Sequence, residues 1–186
     1  MYGMVNQAVR GLVLEQFGQE AWKNIHEKAN APENFDSFNQ YDDAITYGLV
    51  GAATEVLKIP AETILHAFGE YWVLKVAVTS YADLMDKTGT DFLAFLKGLD
   101  HMHSRIKVTF PNYRPPSFRV EVLSEGLVQL DYYSDREGLV PFVEGLLQGL
   151  AVHFELKLEI EQVPDDAHPM PCKRMKVSFQ SITNGS

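Results

Sequence analysis

The sequence is poor in the features that mark secreted proteins and proteins that bind polyanions. Cys172 is the only cysteine among 186 residues, which excludes an internal disulfide and is typical of a reducing compartment. Lysine and arginine number 16 against 25 aspartates and glutamates, so the net charge is -9. Nucleic acids and anionic membranes attract clustered positive charge. We therefore expect neither of them as a partner.

Targeting and membrane-spanning segments are also missing. The first residues lack the basic region, apolar run and small-residue cleavage site of a secretory signal peptide. No stretch approaches the roughly 20 consecutive apolar residues that a membrane-spanning helix needs. These absences predict a cytoplasmic protein.

Motifs of common enzyme classes do not occur either. There is no Walker, Rossmann or His-Glu-x-x-His motif, and no local signature arranges Ser, His and Asp as a catalytic triad. His168 and Cys172 are two potential metal ligands, whereas a structural zinc site usually takes four. We expect a loop histidine and an incidental thiol at these positions, and no independent enzymatic activity.

The spacing of apolar residues predicts an α+β fold. With 46% hydrophobic residues the chain can bury one sizeable core, and a single domain is the default. Helices are predicted near residues 3–17, 20–29, 42–57, 60–72, 91–106 and 136–153. Strands are predicted at 118–123, 127–133, 155–163 and 174–181. Because helices come first and strands later, we expect a mainly antiparallel sheet of about four strands packed beside helices.

Two breaks are predicted in the helical half. Gly18 is a natural end for the first helix, because glycine is favoured just past helix C-termini. Residues 30–40 are rich in Asn, Pro, Asp and Ser and show no periodicity. We interpret them as a loop and as the best candidate for a flexible joint.

Two histidines lie close together in the helix predicted from Asp91. A turn of 100° per residue places His103 on the apolar stripe, and it places His101 on the opposite side with Lys97 and Arg105. A histidine on an apolar stripe is either a hydrogen-bonded core residue or a ligand, since buried polar groups need a partner. The pattern alone leaves both interpretations open.

A second set of polar side chains occupies alternate positions at Tyr132, Ser134 and Arg136, which share one face if the strand continues. Two hydroxyls and a guanidinium suit a ligand that carries carboxylates, because arginine offers a planar fork of donors. Ser134 followed by Glu137 also forms a capping box that would start the next helix. Taken alone, the capping box is the stronger interpretation, and Ser134 can serve both purposes.

Five separated motifs occur in a particular order. They are Met1-Tyr2-Gly3-Met4-Val5-Asn6, Phe68-Gly69-Glu70-Tyr71-Trp72, His103, Tyr113-Arg114-Pro115-Pro116-Ser117-Phe118 and Tyr132-x-Ser134-x-Arg136. In this combination the sequence closely resembles, over essentially its whole length, the haem nitric oxide/oxygen binding (H-NOX) family, which includes the sensor domain of soluble guanylate cyclase. The resemblance implies one haem-binding sensor domain over residues 1–186. It also implies a helical subdomain at about 1–60 and a haem-ligating α+β subdomain at about 61–186, with haem b (iron protoporphyrin IX) between them.

The resemblance also implies roles for individual residues. His103 matches the axial ligand of the haem iron, bound through Nε2, and the carbonyl of Leu99 is a candidate acceptor for Nδ1–H. Pro116 matches a proline that presses on the macrocycle and helps to distort it. The haem propionates would be held by the three polar residues Tyr132, Ser134 and Arg136.

On the gas-binding side the resemblance implies a pocket lined by Val5, Trp72, Phe142 and Leu146. Oxygen-binding relatives carry a tyrosine at the position aligned with Phe142, and no tyrosine occurs from Glu137 to Phe154. A pocket without a hydrogen-bond donor disfavours oxygen, whereas nitric oxide binds ferrous haem strongly without one. Trp72 departs from the phenylalanine of guanylate cyclase, and its indole N–H either donates to the gas or turns to a carbonyl.

The function implied by the resemblance is a non-catalytic sensor that binds nitric oxide, and also carbon monoxide, at ferrous haem. Its expected partner is a signalling protein or a fused output domain, such as a histidine kinase, a diguanylate cyclase or a guanylate cyclase. Three alternatives stay open. They are a haem enzyme of the peroxidase or dioxygenase type, an oxygen-binding member of the same family, and an interaction module that keeps the fold without using haem.

Overall fold

The computed structural model describes residues 1–164 and 172–182. Its helices are α1 (Gly3–Lys28), α2 (Asp43–Leu57), α3 (Ala61–Tyr71), α4 (Val78–Ser80), α5 (Ala82–Thr88), α6 (Phe92–Thr109) and α7 (Val140–His153), and a π-helix, Trp72–Ala77, joins α3 to α4. The strands are β1 (Ser117–Ser124), β2 (Leu127–Tyr133), β3 (Leu156–Val163) and β4 (Cys172–Ser181). The predicted α+β fold is confirmed. His168, considered above as a metal ligand, lies outside the described residues.

The strands form one antiparallel sheet in the order β1-β2-β4-β3. Only Ser124-Glu125-Gly126 separates the strands predicted at 118–123 and 127–133, which indicates a hairpin, and this hairpin is present. Its turn contains Gly126 at φ 69°, a conformation that glycine adopts without steric cost. On the two central strands, Leu130 pairs with Met175 and Val128 pairs with Val177. All four side chains are fully buried, so this face of the sheet packs against the helices.

The helical half begins with a broken helix. At Gly18 the backbone of α1 adopts φ 83° and ψ 179°, which is not helical, so the predicted end of the first helix at this glycine is confirmed. The chain then resumes helical structure up to Lys28. Further along, α2 begins where predicted, because the side chain of Asp42 accepts a hydrogen bond of 2.8 Å from the N–H of Ala44.

Two details of the middle of the chain differ from the prediction. The apolar spacing of the helix predicted near residues 60–72 places Ala61 on its inward face, but this side chain is exposed, because Ala61 is the first residue of α3. The polar residues from Asp86 to Thr90 predict a short connection before the next helix, but the chain is helical up to Thr88, where α5 ends. Polar side chains on a helix that faces solvent gave no apolar period from which α5 could be predicted.

Buried apolar side chains form two clusters. The first core lies among α1, α2 and α3 and includes Trp22 and Leu49, and the second lies between the sheet, α6 and α7 and includes Phe92 and Leu96. Trp72 packs against both cores. The predicted division into subdomains near residue 60 stays a prediction. No helix in the described part of the chain is both long and apolar enough to cross a membrane.

Helices α3 and α7 approach each other backbone to backbone. A Cβ atom on Gly69 would overlap the backbone of Phe142, and one on Gly145 would overlap the carbonyl oxygen of His66. The two glycines therefore permit an approach that any larger residue would prevent. This approach brings the ring of Phe68 to within 4.8 Å of the ring of Phe142, measured between centroids.

Residues 30–40 form a loop, as predicted, but the loop is attached to the first turns of α1. The N–H of Gly3 donates to the carbonyl of Asn39 at 2.9 Å, and Nε2 of Gln7 donates to the carbonyl of Phe35 at 2.6 Å. The ring of Phe38 stacks on the ring of Phe110, which follows α6. These contacts attach residues 35–39 of the loop to α1 and to the residue that follows α6. That the loop acts as a flexible joint stays a prediction.

Candidate functional site

One of the two histidines of α6 points toward the protein interior. The helix begins where the side chain of Asp91 accepts a hydrogen bond of 2.9 Å from the N–H of Ala94. Its buried face carries Phe92, Phe95, Leu96 and Leu99. One turn beyond Leu99, His103 is half-buried, whereas His101 is exposed. The predicted orientation of the two histidines is confirmed.

The surroundings of His103 favour a neutral imidazole. Burial lowers its pKa, and this effect outweighs the opposing influence of the Asp100 carboxylate and of the nearby Pro116 carbonyl. Its Nδ1 atom is buried and has no hydrogen-bond partner among the described residues. The predicted hydrogen bond from Nδ1 to the carbonyl of Leu99 is therefore wrong, because that carbonyl points along the helix axis. A neutral imidazole is the form that binds metal ions.

Aromatic rings connect His103 to the sheet. The ring centroids of His103 and Phe118 are 6.0 Å apart, and those of Phe118 and Tyr132 are 5.4 Å apart. The phenol ring of Tyr113 also lies near the imidazole, with centroids 6.1 Å apart. Burial raises the pKa of Tyr113 to about 12, although the charge of Arg136 opposes the rise. The site around His103 is thus mainly aromatic.

The carboxylate of Asp100 fixes the segment that contains Pro116 beside α6. It accepts hydrogen bonds from the hydroxyl of Ser117 at 2.9 Å and from the N–H of Phe118 at 2.8 Å. Sequence reasoning missed this role of Asp100. A signal was available, because Asp100 lies three residues before His103 and therefore on a neighbouring position of the helix surface.

The three residues predicted to hold carboxylates lie at the end of β2 and in the loop after it. The strand ends at Tyr133, so Ser134 and Arg136 do not share a strand face with Tyr132, contrary to the prediction. Burial raises the pKa of the Tyr132 phenol, and hydrogen bonding from Ser134 and the charge of Arg136 oppose the rise. The three side chains therefore interact with one another, although a turn rather than the pleat of a strand brings them together.

The predicted capping box is also wrong. Helix α7 begins at Val140, several residues after Ser134, and its N-cap residue is Leu139. The hydroxyl of Ser134 instead accepts a hydrogen bond of 3.0 Å from the N–H of Arg136, which closes a local turn. Serine side chains bond to nearby backbone N–H groups in turns as readily as at helix ends, so the sequence pattern did not separate these two outcomes.

Arg136 contacts a residue that the sequence did not connect with it. Its Nε donates to Oδ2 of Asp43 at 2.7 Å, and its Nη1 donates to the carbonyl of Arg114 at 2.9 Å. Oδ1 of Asp43 accepts from the α-amino group of Met1. Partial burial raises the pKa of Asp43, but the hydrogen bonds and charges of its two cationic partners outweigh burial and hold the pKa below its usual range.

A polar cavity of about 220 Å³ lies beside this guanidinium. Its walls are formed by Asp43, Arg114, Pro115, Ser117, Tyr133, Ser134, Asp135 and Arg136. No sequence signal marked Asp43, because it lies 93 residues before Arg136. The cavity combines an arginine and a hydroxyl, which are the groups that bind carboxylates.

The residues predicted for the gas-binding side are found at the junction of α3, α7 and the first core. The ring of Phe68 lies between Trp72, at 6.4 Å, and Phe142, at 4.8 Å. Leu146 packs against the second core, and Val5 packs against the first. Phe68, Trp72 and Phe142 thus form an aromatic cluster at this junction.

The residue types of the site fit a haem. Within the described residues no three His, Cys, Asp or Glu side chains converge to hold a metal ion. A single imidazole such as His103 therefore suits a metal that brings its own ligands, as haem iron does. Aromatic side chains suit the face of a macrocycle, and Arg136 with its neighbouring hydroxyls suits two carboxylates.

Comparison with known sequences points in the same direction. A family model described as Haem-NO-binding matches residues 2–162. The chain is 32% identical over 155 residues to soluble guanylate cyclase gcy-35 and 31% identical over 188 residues to soluble guanylate cyclase gcy-33, both from Caenorhabditis elegans. The matches cover 81% and 100% of this chain but 22% and 20% of the relatives. The chain therefore spans about a fifth of the length of the curated relatives that it matches.

Solved structures share the fold. The chain superposes with a TM-score of 0.85 on an H-NOX protein from S. oneidensis in the Fe(II)NO ligation state, at 24% identity and covering 97% of this chain and 100% of that chain. It superposes with a TM-score of 0.82 on an oxygen-binding H-NOX domain in its oxygen complex, at 14% identity and covering 97% and 96%. Because one structure holds nitric oxide and the other holds oxygen, the fold alone does not select the gas.

Proposed function

Because this chain belongs to the haem-NO-binding (H-NOX) family, we propose that it is a haem-based sensor that binds nitric oxide and relays the signal to a partner protein or a fused output domain. The observation that carries the proposal is His103, a half-buried imidazole kept neutral by burial and surrounded by aromatic rings. The imidazole lies on the same helix as Asp100, which holds the Pro116 segment next to it.

We propose haem b as the cofactor and His103 as the protein ligand of its iron. When bound, the haem supplies a ferrous iron that takes up diatomic gases. Arg136, Tyr132 and Ser134 hold the propionates, because their side chains offer one cationic fork and two hydroxyls within a single turn. Pro116 would contact the macrocycle and help to distort it. The rings of Tyr113 and Phe118, which lie beside His103, would line the site next to the iron ligand.

The choice of nitric oxide over oxygen rests on the residues of the other wall. Bound oxygen is polar and is retained when a side chain donates a hydrogen bond to it, whereas nitric oxide does not need this bond. Phe142 carries no donor, and α7 contains no tyrosine. The ring centroid of Trp72 lies 6.4 Å from that of Phe68, and we propose that Trp72 acts as an apolar wall. Carbon monoxide is expected to bind as well.

We propose that the domain has no catalytic activity of its own and acts through a signalling partner. Its matched relatives are named as guanylate cyclases, of which it spans only about a fifth. A guanylate cyclase, a diguanylate cyclase or a histidine kinase is the expected type of output. A haem enzyme of the peroxidase or dioxygenase type is the alternative from another class.

Gas binding by the purified, reduced protein tests the proposal. We expect haem absorption bands that change on addition of nitric oxide and that show no stable oxygen complex in air. A colourless protein that cannot be reconstituted with haem would contradict the proposal. A stable oxygen complex would support the oxygen-binding alternative, and peroxide turnover well above that of free haem would support the enzyme.

Replacing Phe142 with tyrosine should increase oxygen affinity. The new hydroxyl can donate one neutral hydrogen bond, worth about 1 kcal/mol, which corresponds to roughly fivefold tighter binding. Spectroscopic oxygen titration of the reduced protein measures the change. Phe17→Tyr adds the same hydroxyl on the surface of α1, where the side chain is 40% exposed, and should leave oxygen affinity unchanged. Equal affinities in the two variants would show that Phe142 does not face the gas.

A further inference from the structure

Helix α2 contacts the loop between β2 and α7 at two points. Oδ2 of Asp43 accepts from Nε of Arg136 at 2.7 Å, and the hydroxyl of Tyr47 donates to the carbonyl of Glu137 at 3.1 Å. Helix α2 belongs to the first core through Leu49, whereas the fully buried apolar residues of β2 and α7 belong to the second. The two hydrogen bonds therefore join the cores at the residue proposed to hold a propionate.

The guanidinium of Arg136 is held at two different nitrogens. Asp43 accepts from Nε, and the carbonyl of Arg114 accepts from Nη1 at 2.9 Å. The side chains of Arg136 and Asp43 are only 20% and 27% exposed, so water competes weakly for these bonds. An arginine side chain that is free in solution samples many rotamers, whereas bonds at two nitrogens leave few of them.

We propose that Asp43 is the positioning residue for Arg136, so that the propionate-binding turn is preformed and haem retention depends on the packing of α2. This inference rests on the proposed function, because it takes Arg136 as a haem ligand. Asp43 itself does not contact the haem. It acts by fixing the guanidinium through a charge-assisted bond at Nε.

A carboxylate beside Arg136 can either orient the guanidinium or compete for it. The two bonds described use two of the five N–H donors of an arginine side chain. They also lie at Nε and Nη1, on different nitrogens, and so restrain the plane of the group. The geometry therefore indicates that Asp43 orients the guanidinium. Removing an orienting carboxylate should weaken haem retention, whereas removing a competing carboxylate should strengthen it.

Asp43→Asn, compared with Asp42→Asn, tests the inference. The control removes the same charge from the adjacent residue, and asparagine replaces aspartate well as an N-cap. Haem-loaded protein is mixed with excess apomyoglobin, and the rate of haem transfer is followed by absorbance. We expect about tenfold faster loss from Asp43→Asn, in line with a charge-assisted hydrogen bond, and a change of less than about twofold from Asp42→Asn.

A second readout reports on the guanidinium directly. In 15N NMR spectra of the haem-loaded protein, the Nε–H of Arg136 should exchange slowly with water in the wild type and in Asp42→Asn, and rapidly in Asp43→Asn. Arg136→Lys keeps the charge but has no Nε–H, so Asp43→Asn should cause no further loss of haem in that background. If Asp43→Asn does not fold, two measurements still test the positioning role. Slow exchange of the Arg136 Nε–H in the wild type together with faster haem loss from Arg136→Lys would support it, and rapid exchange in the wild type would overturn it.

The possible outcomes separate this inference from the proposed function. A wild type that retains haem, with equal loss rates in Asp43→Asn and Asp42→Asn, overturns the positioning role and leaves the haem sensor intact. Slower loss from Asp43→Asn means that Asp43 competes with the propionate, and it also overturns the role. A wild type that binds no haem overturns the proposed function and this inference with it.

Discussion

His103→Gly is expected to abolish the haem absorption spectrum of the purified protein, and free imidazole should restore it. The substitution removes the side chain proposed to bind the iron and leaves space beside Phe118 and Tyr113 that an imidazole molecule can fill. Burial lowers the pKa of His103, and imidazole from solution offers the same neutral nitrogen donor. Absorption spectra recorded with increasing imidazole measure the restoration.

The matched control for this experiment is His101→Gly. It places glycine on the same helix, α6, at a comparable cost of about 1 kcal/mol in helix stability, but it removes a side chain that is exposed. The control should keep its haem and should not respond to imidazole. Equal loss of haem from both variants would mean that helix stability, rather than iron ligation, explains the effect.

Arg136→Ala is expected to release haem considerably faster than Tyr132→Phe. A bond to a charged group contributes roughly 1.5–3 kcal/mol and a neutral one about 1 kcal/mol, which predicts about ten- to hundredfold faster loss against about fivefold. Transfer to apomyoglobin measures both rates. Arg105→Ala, which removes a charge from the exposed surface of α6, should leave the rate unchanged.

Similar rates of haem loss from Arg136→Ala and Tyr132→Phe would contradict the proposed propionate site. The structure removes one competing explanation in advance. Helix α7 begins at Val140, so a loss cannot be attributed to a missing helix cap at Ser134. Arg136→Ala also breaks the bond to Asp43, and Asp43→Asn measures that contribution separately.

Short stretches of sequence predicted those features of the fold that depend only on neighbouring residues. The break at Gly18, the start of α2 at Asp42 and the hairpin turn at Gly126 each follow from a backbone conformation or a hydrogen bond within a few residues. Helix geometry alone predicts that His103 points inward and that His101 points to solvent. The order of the motifs also indicated the family, because five motifs spread along the chain resemble those of H-NOX proteins.

Predictions were wrong where two local outcomes have similar energies. Ser134 followed by Glu137 favours a helix cap, but a serine hydroxyl also bonds to backbone N–H groups in loop turns, and the structure contains the turn. The same turn ends β2 before Ser134, so the three propionate residues are not on one strand face. The acceptor predicted for Nδ1 of His103 was wrong because a helix directs its carbonyls along its axis and away from its side chains.

The α+β class, the family and the residue types offered to a haem follow from the amino-acid sequence alone. So do the helices and strands other than α4, α5 and the π-helix, for which no element was predicted. Only the tertiary structure shows which residues distant in the sequence hold these elements and site residues in place. Asp43 reaches Arg136 across 93 positions, and Gly69 and Gly145 let α3 and α7 touch. These contacts depend on how whole elements pack. The sequence pattern of a helix or strand shows which of its faces is apolar. Which other element packs against that face depends on the arrangement of the whole chain that has the lowest free energy.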